Sequence, residues 1–240
     1  MSPTILQRSG VGASEDIKPH GIDLIHELPG VGKNLQDHID FNFCFKTNDK
    51  NTLGFSPGGL FKILGEVAKW LVHGNSMISS TLSEAGGFLK TDQSLDRPDI
   101  QHHFVIGLID DHLRKIHYGH GYSCHVCLLR PHSRGTVSLA SAKYDDAPVI
   151  NPNFLDDSRD IKTLIKGAKI TQNILNTPPL KKYQSKEIYG VHSNLTDKQW
   201  EHHIRNRADT IYHPVGTCKM GKDALAVVDN KLKIRGLNNI

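Results

Sequence analysis

The order in which strand and helix signals follow one another is the feature that most constrains the fold of this chain. Aromatic residues alternate with polar ones over 41–45, and a second alternating stretch covers 122–128. Apolar residues recur at helical spacing over 60–71 and again over 161–175. Strands and helices therefore come in groups and do not alternate regularly. This order predicts an α+β fold, in which helices flank a largely antiparallel sheet.

Turn signals predict how some of these elements are joined. The five turn-like residues 131–135 separate the strand predicted over 122–128 from a short apolar stretch over 136–140. Two such stretches around a short turn predict an antiparallel hairpin. We also expect a brief strand over 22–25 and a last capped helix that ends at Arg207.

Composition excludes several classes of protein. The 29 basic and 25 acidic residues give a net charge of +4 and form no basic cluster, which argues against a nucleic-acid partner. No apolar run reaches the ~18 residues of a membrane span, and the first residues do not look like a secretion signal. Four cysteines are too few for a disulfide scaffold, so reduced thiols and a cytoplasmic location are expected.

Histidines and cysteines raise the question of a metal site. Seven of the 15 histidines lie between residues 102 and 132, but no pair has H-E-x-x-H spacing. Cys124 and Cys127 have C-x-x-C spacing inside a predicted strand, where side chains three apart face opposite sides. We therefore predict buried core thiols and no metal site. A zinc hydrolase stays as an alternative.

Two glycine pairs resemble part of a dinucleotide-binding loop. Gly10 with Gly12 and Gly30 with Gly32 have G-x-G spacing, but the chain has no complete G-x-G-x-x-G. The third glycine is needed where a helix N-terminus meets pyrophosphate. We therefore interpret these glycines as turn residues.

The segment Tyr212–Gly221 contains a histidine with potential for proton transfer. His213 precedes a proline, which favours an extended backbone, and a glycine follows shortly after. An imidazole at such a place can accept a proton from a hydroxyl near neutral pH. A purely structural loop histidine is the alternative reading, and the segment alone does not decide between them.

This segment resembles the H-P-V-G-T-C-[RK]-M-G stretch of the glucose–methanol–choline (GMC) family of flavin oxidoreductases. Four more blocks are similar to blocks of that family in the same order: 2–12, 28–38, 129–135 and 147–154. Residues 83–88 and 97–101 are similar to bacterial alcohol dehydrogenases that use an acceptor other than oxygen, and to choline dehydrogenases.

The resemblance implies a division into domains. Residues 1–38 would be a segment of an FAD domain, 39–206 a substrate-binding domain, and 207–240 a return to the FAD domain. The family's G-x-G-x-x-G has no counterpart here, and its second catalytic residue, His or Asn, would follow Ile240. We therefore expect a fragment of a longer enzyme that does not hold FAD tightly by itself, and no cofactor-binding residue is assigned.

The activity implied is oxidation of a primary, aliphatic alcohol to an aldehyde, with FAD as cofactor and a quinone-like acceptor. Choline dehydrogenase is the alternative substrate class. A non-catalytic remnant or binding module without flavin is the alternative from another class. A quinone-like acceptor further implies peripheral contact with the cytoplasmic face of the inner membrane.

Two residues are candidates for the site on this resemblance. His213 matches the position of the family's catalytic base. Glu84 lies in a block where a glutamate can face the substrate, and a carboxylate suits a quaternary ammonium ion. For Glu84, a salt bridge at a sheet edge or between domains is an equally good interpretation.

Overall fold

The computed structural model describes residues 1–238. The helices are α1 Ser2–Arg8, α2 Ser14–Ile17, α3 Pro57–His73, α4 Ser158–Leu175, α5 Pro178–Lys181 and α6 Asp197–Arg207. The strands are β1 Val11–Gly12, β2 His26–Glu27, β3 Ile39–Thr47, β4 Gly54–Phe55, β5 Ser83–Leu89, β6 Ile100–Val105, β7 Gly119–Leu128, β8 Thr136–Ser138, β9 Val149–Asn151, β10 Lys186–Glu187 and β11 Asp209–Thr210. Helices combined with a mainly antiparallel sheet confirm the predicted α+β class.

The chain divides into two compact units. Unit 1 contains Met1–His38, Pro131–Asp157 and Tyr212–Ile240, and unit 2 contains Ile39–Arg130 and Ser158–Ile211. These limits differ from the predicted domain limits at 131–157 and at 207–211. Which unit serves flavin and which serves substrate stays a prediction.

Backbone pairing explains both differences. The N–H of Val137 in β8 donates to the carbonyl of Gly32 at 2.7 Å, which ties this strand to the first stretch of unit 1. In unit 2, β11 pairs with β3, so the residues after α6 stay with the sheet. The boundaries of the two units are therefore set by hydrogen bonds between segments that are distant in the sequence.

Unit 2 is built on one seven-stranded sheet. The order of its main path is β10–β3–β7–β6–β5, while β4 pairs with β7 and β11 pairs with β3. All named strand pairs in this sheet are antiparallel. β3 lies where alternation predicted a strand, but it is buried on both faces and not half-buried. The reason is that α6 covers one face, while Asn42 on the other face donates to the carbonyl of Ile109.

Two helices pack on this sheet through apolar faces that the sequence predicted. α4 buries the residues of its predicted face, Ile161, Leu164, Ile165, Ala168 and Leu175. A Cβ on Gly167 would lie 3.1 Å from Val126 Cγ2, so α4 lies very close to β7. α6 begins with a capping box between Thr196 and Gln199 and ends at Arg207, as predicted.

α3 forms with clear caps but without a buried apolar face. The hydroxyl of Ser56 accepts from the N–H of Gly59, and Gly74 ends the helix with φ 71°. Leu60, Leu64 and Leu71, which helical spacing puts together, are all exposed. Within residues 1–238, no helix combines the length and apolar character needed to cross a bilayer.

Unit 1 gathers its core from separate stretches of chain. Val11, Leu28, Val31 and Val227 are buried together, and Cys218 packs against them. β1 and β2 pair in parallel, with Val11 opposite His26. The core therefore depends on joining the first and last stretches of the sequence.

Two predictions about unit 1 are wrong. The segment 22–25 is not a strand, because the carbonyl of Gly10 accepts from the N–H groups of Ile25 and His26 and pairing begins only at β2. The hairpin predicted between 122–128 and 136–140 does not form. β8 pairs with β9 instead, with Thr136 opposite Asn151.

A buried ion pair links two central strands of unit 2. His125 Nδ1 lies 2.6 Å from Asp40 Oδ2, and both side chains are largely buried. Burial alone would lower the pKa of His125, but the adjacent Asp40 carboxylate outweighs it and the pKa is raised. The pair therefore favours a charged imidazole inside the sheet.

Replacing Trp200 by alanine should strongly destabilise unit 2. Trp200 is fully buried and its ring meets those of Phe41 and Phe43 edge-on. We expect Trp200→Ala to lower the free energy of unfolding by about 3–5 kcal/mol, because it opens a cavity.

Urea denaturation measures this effect, with the 45% exposed Trp70 as the matched control. Trp70→Ala should change the free energy of unfolding by less than about 0.5 kcal/mol. Trp200→Phe should cost less than Trp200→Ala, because a phenyl ring fills part of the cavity that alanine leaves empty. Equal losses for the two alanine variants would contradict the packing described.

The pair of Asp40 and His125 should make stability depend on pH with a defined sign. A raised folded pKa contributes stability that is fully present below the unfolded value of about 6.5. That contribution is lost as the pH rises through the folded pKa. The difference in unfolding free energy between the parent and His125→Asn should therefore be larger at pH 6 than at pH 9. Urea denaturation at both pH values measures it, and an equal difference would refute the assignment.

Candidate functional site

The loop that carries His213 pairs with an earlier segment of unit 1. The N–H of Gln36 donates to the carbonyl of Val215 at 2.9 Å, and the N–H of Val215 returns a bond to the carbonyl of Gln36 at 2.8 Å. Two of the sequence blocks that carried the family resemblance are therefore brought together.

The backbone on either side of His213 has a constrained conformation. Gly216 has φ 99°, and a Cβ there would lie 2.4 Å from the carbonyl oxygen of Asn34. Asn34 Nδ2 donates to the carbonyl of Gly216 at 3.1 Å, a hydrogen bond between the same two residues that approach so closely. Tyr212 has φ 64°, a left-handed conformation that residues other than glycine rarely adopt. The loop is thus held in one shape around the histidine.

His213 is fixed through its backbone and one ring nitrogen. Its N–H donates to Asp37 Oδ1 at 2.8 Å, and Asp37 is buried. Its Nδ1 lies 3.2 Å from His38 Nδ1, with the two rings edge to face at 5.2 Å and 81°. The ring is exposed, and its Nε2 makes no hydrogen bond to any residue from 1 to 238.

This arrangement suits proton transfer. An imidazole nitrogen is the side-chain base best suited to accept a proton in neutral water. In His213 one nitrogen is engaged by the protein, while the other is open on an anchored backbone. Chemically, the loop presents a base of fixed position toward the outside of unit 1.

The cysteine in the same loop has a structural role. Cys218 packs against the core of unit 1. Burial raises the pKa of its thiol, which keeps it protonated at neutral pH. It is therefore a poor nucleophile, which leaves His213 as the candidate for chemistry in this loop.

Gly10, Gly30 and Gly32 lie in turns, as predicted, whereas Gly12 lies in strand β1. A Cβ on Gly10 would lie 2.3 Å from the carbonyl oxygen of Asp23, and one on Gly30 would lie 2.1 Å from that of Leu225. Protein backbone already occupies the space that these glycines keep free. Neither pair forms an open cradle for a phosphate.

Glu84 lies in unit 2, on the edge strand β5, and is exposed. The regular pairing of β5 with β6 is interrupted between Ser83 and Ala85. The Glu84 carboxylate accepts a hydrogen bond from the Ser80 hydroxyl. Glu84 lies at the sheet edge, as the salt-bridge interpretation expects. However, Glu84 forms no ion pair with any residue from 1 to 238, so no salt-bridge partner is found there. A role toward substrate stays a prediction.

Several histidine and cysteine side chains of unit 2 are buried against its sheet and form structural contacts. His102 Nε2 meets Thr171 Oγ1 at 2.8 Å, and burial lowers the pKa of this histidine. Cys124 is buried as predicted, which raises its pKa to about 12. Across residues 1–238, no three His, Cys, Asp or Glu side chains are grouped so that they could hold a metal ion. The zinc alternative therefore has no site in this part of the chain.

Sequence reasoning missed a buried polar cluster in unit 2. Asp110 accepts from the Tyr189 hydroxyl and lies 2.5 Å from His117 Nε2. Burial alone would raise the pKa of Asp110, but these hydrogen bonds outweigh it and lower the pKa. The Arg207 guanidinium lies 3.7 Å from the centre of the Tyr189 ring. These residues come from three separate segments, so no local pattern could have revealed the cluster.

Curated proteins resemble this chain over its whole length. It is 44% identical over 243 residues to an alcohol dehydrogenase [acceptor] of Pseudomonas putida, covering 100% of this chain and 43% of the relative. It is 37% identical over 240 residues to an oxygen-dependent choline dehydrogenase of Cronobacter sakazakii, with the same coverage. The chain thus spans less than half the length of these relatives.

Solved structures share the fold. A formate oxidase of Aspergillus oryzae, studied for modification of its FAD, aligns with TM-score 0.87 and 26% identity over 98% of this chain and 46% of its own. Pyridoxine 4-oxidase from Mesorbium loti aligns with TM-score 0.80 and 24% identity over 99% of this chain and 43% of its own, which supports the fold alone.

A family model described as GMC oxidoreductase matches residues 131–240. This match covers the loop of His213, and two of the sequence blocks that resemble the family, 2–12 and 28–38, lie outside it. Residues 131–240 are therefore a GMC oxidoreductase C-terminal domain, and the chain as a whole is similar to an alcohol dehydrogenase [acceptor] and a choline dehydrogenase.

Proposed function

We propose that the chain is part of an FAD-dependent oxidoreductase that oxidises a primary, aliphatic alcohol to an aldehyde and passes electrons to a quinone-like acceptor. The observation that carries this proposal is the open Nε2 of His213 on a backbone anchored by Asp37. Alcohol oxidation needs such a base, since the hydroxyl proton must leave as the carbinol carbon gives up a hydride.

Only part of an FAD site is expected in this chain. Val215 is an exposed apolar side chain two residues along the sequence from His213, which is compatible with a flavin ring near this loop. The closed glycine pairs offer nothing to the phosphates of FAD. When bound, FAD supplies the two-electron oxidation chemistry.

In this proposal His213 takes the hydroxyl proton on Nε2. The carbinol carbon loses a hydride, so one proton and one hydride, which carries the electron pair, leave the alcohol and an aldehyde remains. Asp37 accepts a hydrogen bond from the backbone N–H of His213 and thereby restrains the position of this residue. The chain contributes position and a proton acceptor.

An apolar cleft in unit 2 supports an aliphatic substrate over choline. Its cavity volume is about 160 Å³. Leucine, isoleucine and phenylalanine side chains line it with glycines and one histidine, His117, and none of its described lining residues carries a carboxylate. Such a lining suits an alkyl chain, whereas a quaternary ammonium ion needs negative charge or an aromatic cage. Choline remains the second candidate because of the 37% identity to choline dehydrogenases.

The location of the protein is part of the proposal. The absence of a basic cluster and the four free cysteines are compatible with the cytoplasm. Similarity to an alcohol dehydrogenase [acceptor] supports an acceptor other than oxygen. A quinone-like acceptor would bring the protein to the cytoplasmic face of the inner membrane.

Removing the imidazole of His213 should nearly abolish turnover. In the full-length protein that carries this chain, His213→Ala should lower kcat/KM for primary alkanols by about 10²–10⁴-fold, because the proton acceptor is lost. Steady-state kinetics measure the loss, and flavin absorbance verifies that FAD is still bound. His73→Ala, which removes an exposed imidazole at the end of α3, is the control and should leave activity unchanged. Near-normal turnover of a flavin-loaded His213→Ala variant would refute the assignment.

Substrate preference and the role of Glu84 are tested together. The parent should show a higher kcat/KM for linear primary alkanols than for choline. Glu84→Gln should lower kcat/KM for choline and leave the alkanol value unchanged, because only the cationic substrate gains from the carboxylate. A preference of the parent for choline would replace the aliphatic proposal by its alternative. Unchanged kinetics with both substrates would remove Glu84 from the site.

A further inference from the structure

The contact between His38 and His213 imposes a rule on their protons. Their Nδ1 atoms lie 3.2 Å apart, within hydrogen-bond distance. Two N–H groups, or two bare nitrogens, facing each other at this distance would repel. One Nδ1 must therefore donate while the other accepts, and a single hydrogen lies between the rings.

The open nitrogen of His213 decides which ring donates. A neutral imidazole carries one N–H, so a base at Nε2 requires the hydrogen at Nδ1. In that tautomer His213 donates through Nδ1, and His38 accepts through its own Nδ1. His38 then carries its hydrogen at Nε2.

We infer that His38 is a positioning residue that holds His213 in the tautomer with a bare, outward-facing Nε2. This inference rests on the proposed role of His213 as a base. His38 contacts His213 and acts on the reaction only through it.

The same contact also supports His213 after proton transfer. When Nε2 takes a proton, Nδ1 keeps its hydrogen and continues to donate to His38. The bond then has a charged donor, and charge-assisted hydrogen bonds are shorter and stronger than neutral ones. His38 therefore stabilises the protonated product of the transfer more than the starting state.

Neighbouring residues make this arrangement rigid. Asp37 holds the backbone of His213, and the adjacent His38 holds its ring, so one short segment controls both. His38 itself is partly buried, and its Nδ1 approaches the Nδ1 of His213 while the two rings lie nearly perpendicular. The adjacent residues Asp37 and His38 of the 28–38 block therefore both act by positioning His213.

Two substitutions at His38 distinguish the effect of losing a hydrogen-bond acceptor from the effect of losing the imidazole ring. Asparagine can present its side-chain oxygen near the position of Nδ1, whereas alanine presents nothing. In the full-length, FAD-loaded protein, His38→Ala should lower kcat for a primary alkanol about ten- to a hundredfold with KM nearly unchanged. His38→Asn should stay within about threefold of the parent, since one acceptor replaces another.

His26→Ala is the matched control for loss of an imidazole from unit 1. His26 is partly buried, and its Nε2 lies 3.0 Å from the carbonyl oxygen of Arg235, away from His213. It should leave kcat and KM unchanged. Equal kcat losses in His38→Ala and His38→Asn would overturn the inference.

A spectroscopic measurement tests the tautomer without any turnover. Two-bond ¹⁵N–¹H correlation spectra of the ¹⁵N-histidine-labelled protein distinguish hydrogen at Nδ1 from hydrogen at Nε2. His213 should show the Nδ1–H form in the parent and in His38→Asn. In His38→Ala, a larger fraction of His213 should be in the Nε2–H form than in the parent. His213→Ala assigns the signals by their loss.

The outcomes separate this inference from the proposed function. A His213 with hydrogen at Nε2 in the parent would overturn the role of His38, even if His213→Ala still abolishes turnover. Normal turnover of His213→Ala would overturn the proposed function, whatever tautomer the spectra show.

Discussion

The reciprocal backbone bonds between Gln36 and Val215 hold together the loop that carries His213 and the segment that contacts it. They join two segments that lie far apart in the sequence, and each bond contributes only about 0.5–1.5 kcal/mol. Around them, Gly216 passes close to Asn34 and Asp37 anchors the backbone of His213. This pairing and the contacts around it fix the backbone that carries His213.

Local signals in the sequence predicted the elements whose causes are local. The capping box that starts α6 and the left-handed Gly74 that ends α3 lie within a few residues of the helices they limit. The partner of β8 was predicted wrongly because hydrogen bonds to Gly32 decide it, and Gly32 is about a hundred residues away. The predicted strand over 22–25 failed because Gly10 captures the N–H groups there.

The candidate site was predictable only in part, because some of its contacts join residues that are far apart in the sequence. Family resemblance singled out His213, and the structure adds how it is held. The contact with His38 spans 175 residues of sequence, so no spacing rule predicts it. The glycine pairs show the reverse case, in which a suggestive pattern has a packing cause, because Gly30 lies against the backbone of Leu225. Motifs therefore identify residue types, while tertiary contacts decide whether those residues can do chemistry.

Two histidine contacts in this chain show how the partner determines the use of an imidazole. His125 meets the carboxylate of Asp40 inside a sheet, which raises its pKa and favours a charged ring. His213 meets a second imidazole, which can accept one hydrogen bond without carrying a negative charge. A carboxylate in the place of His38 would favour the protonated ring before substrate arrives, and the base would be occupied. A neutral acceptor orients the ring and leaves Nε2 available, so histidine suits this position better than aspartate would.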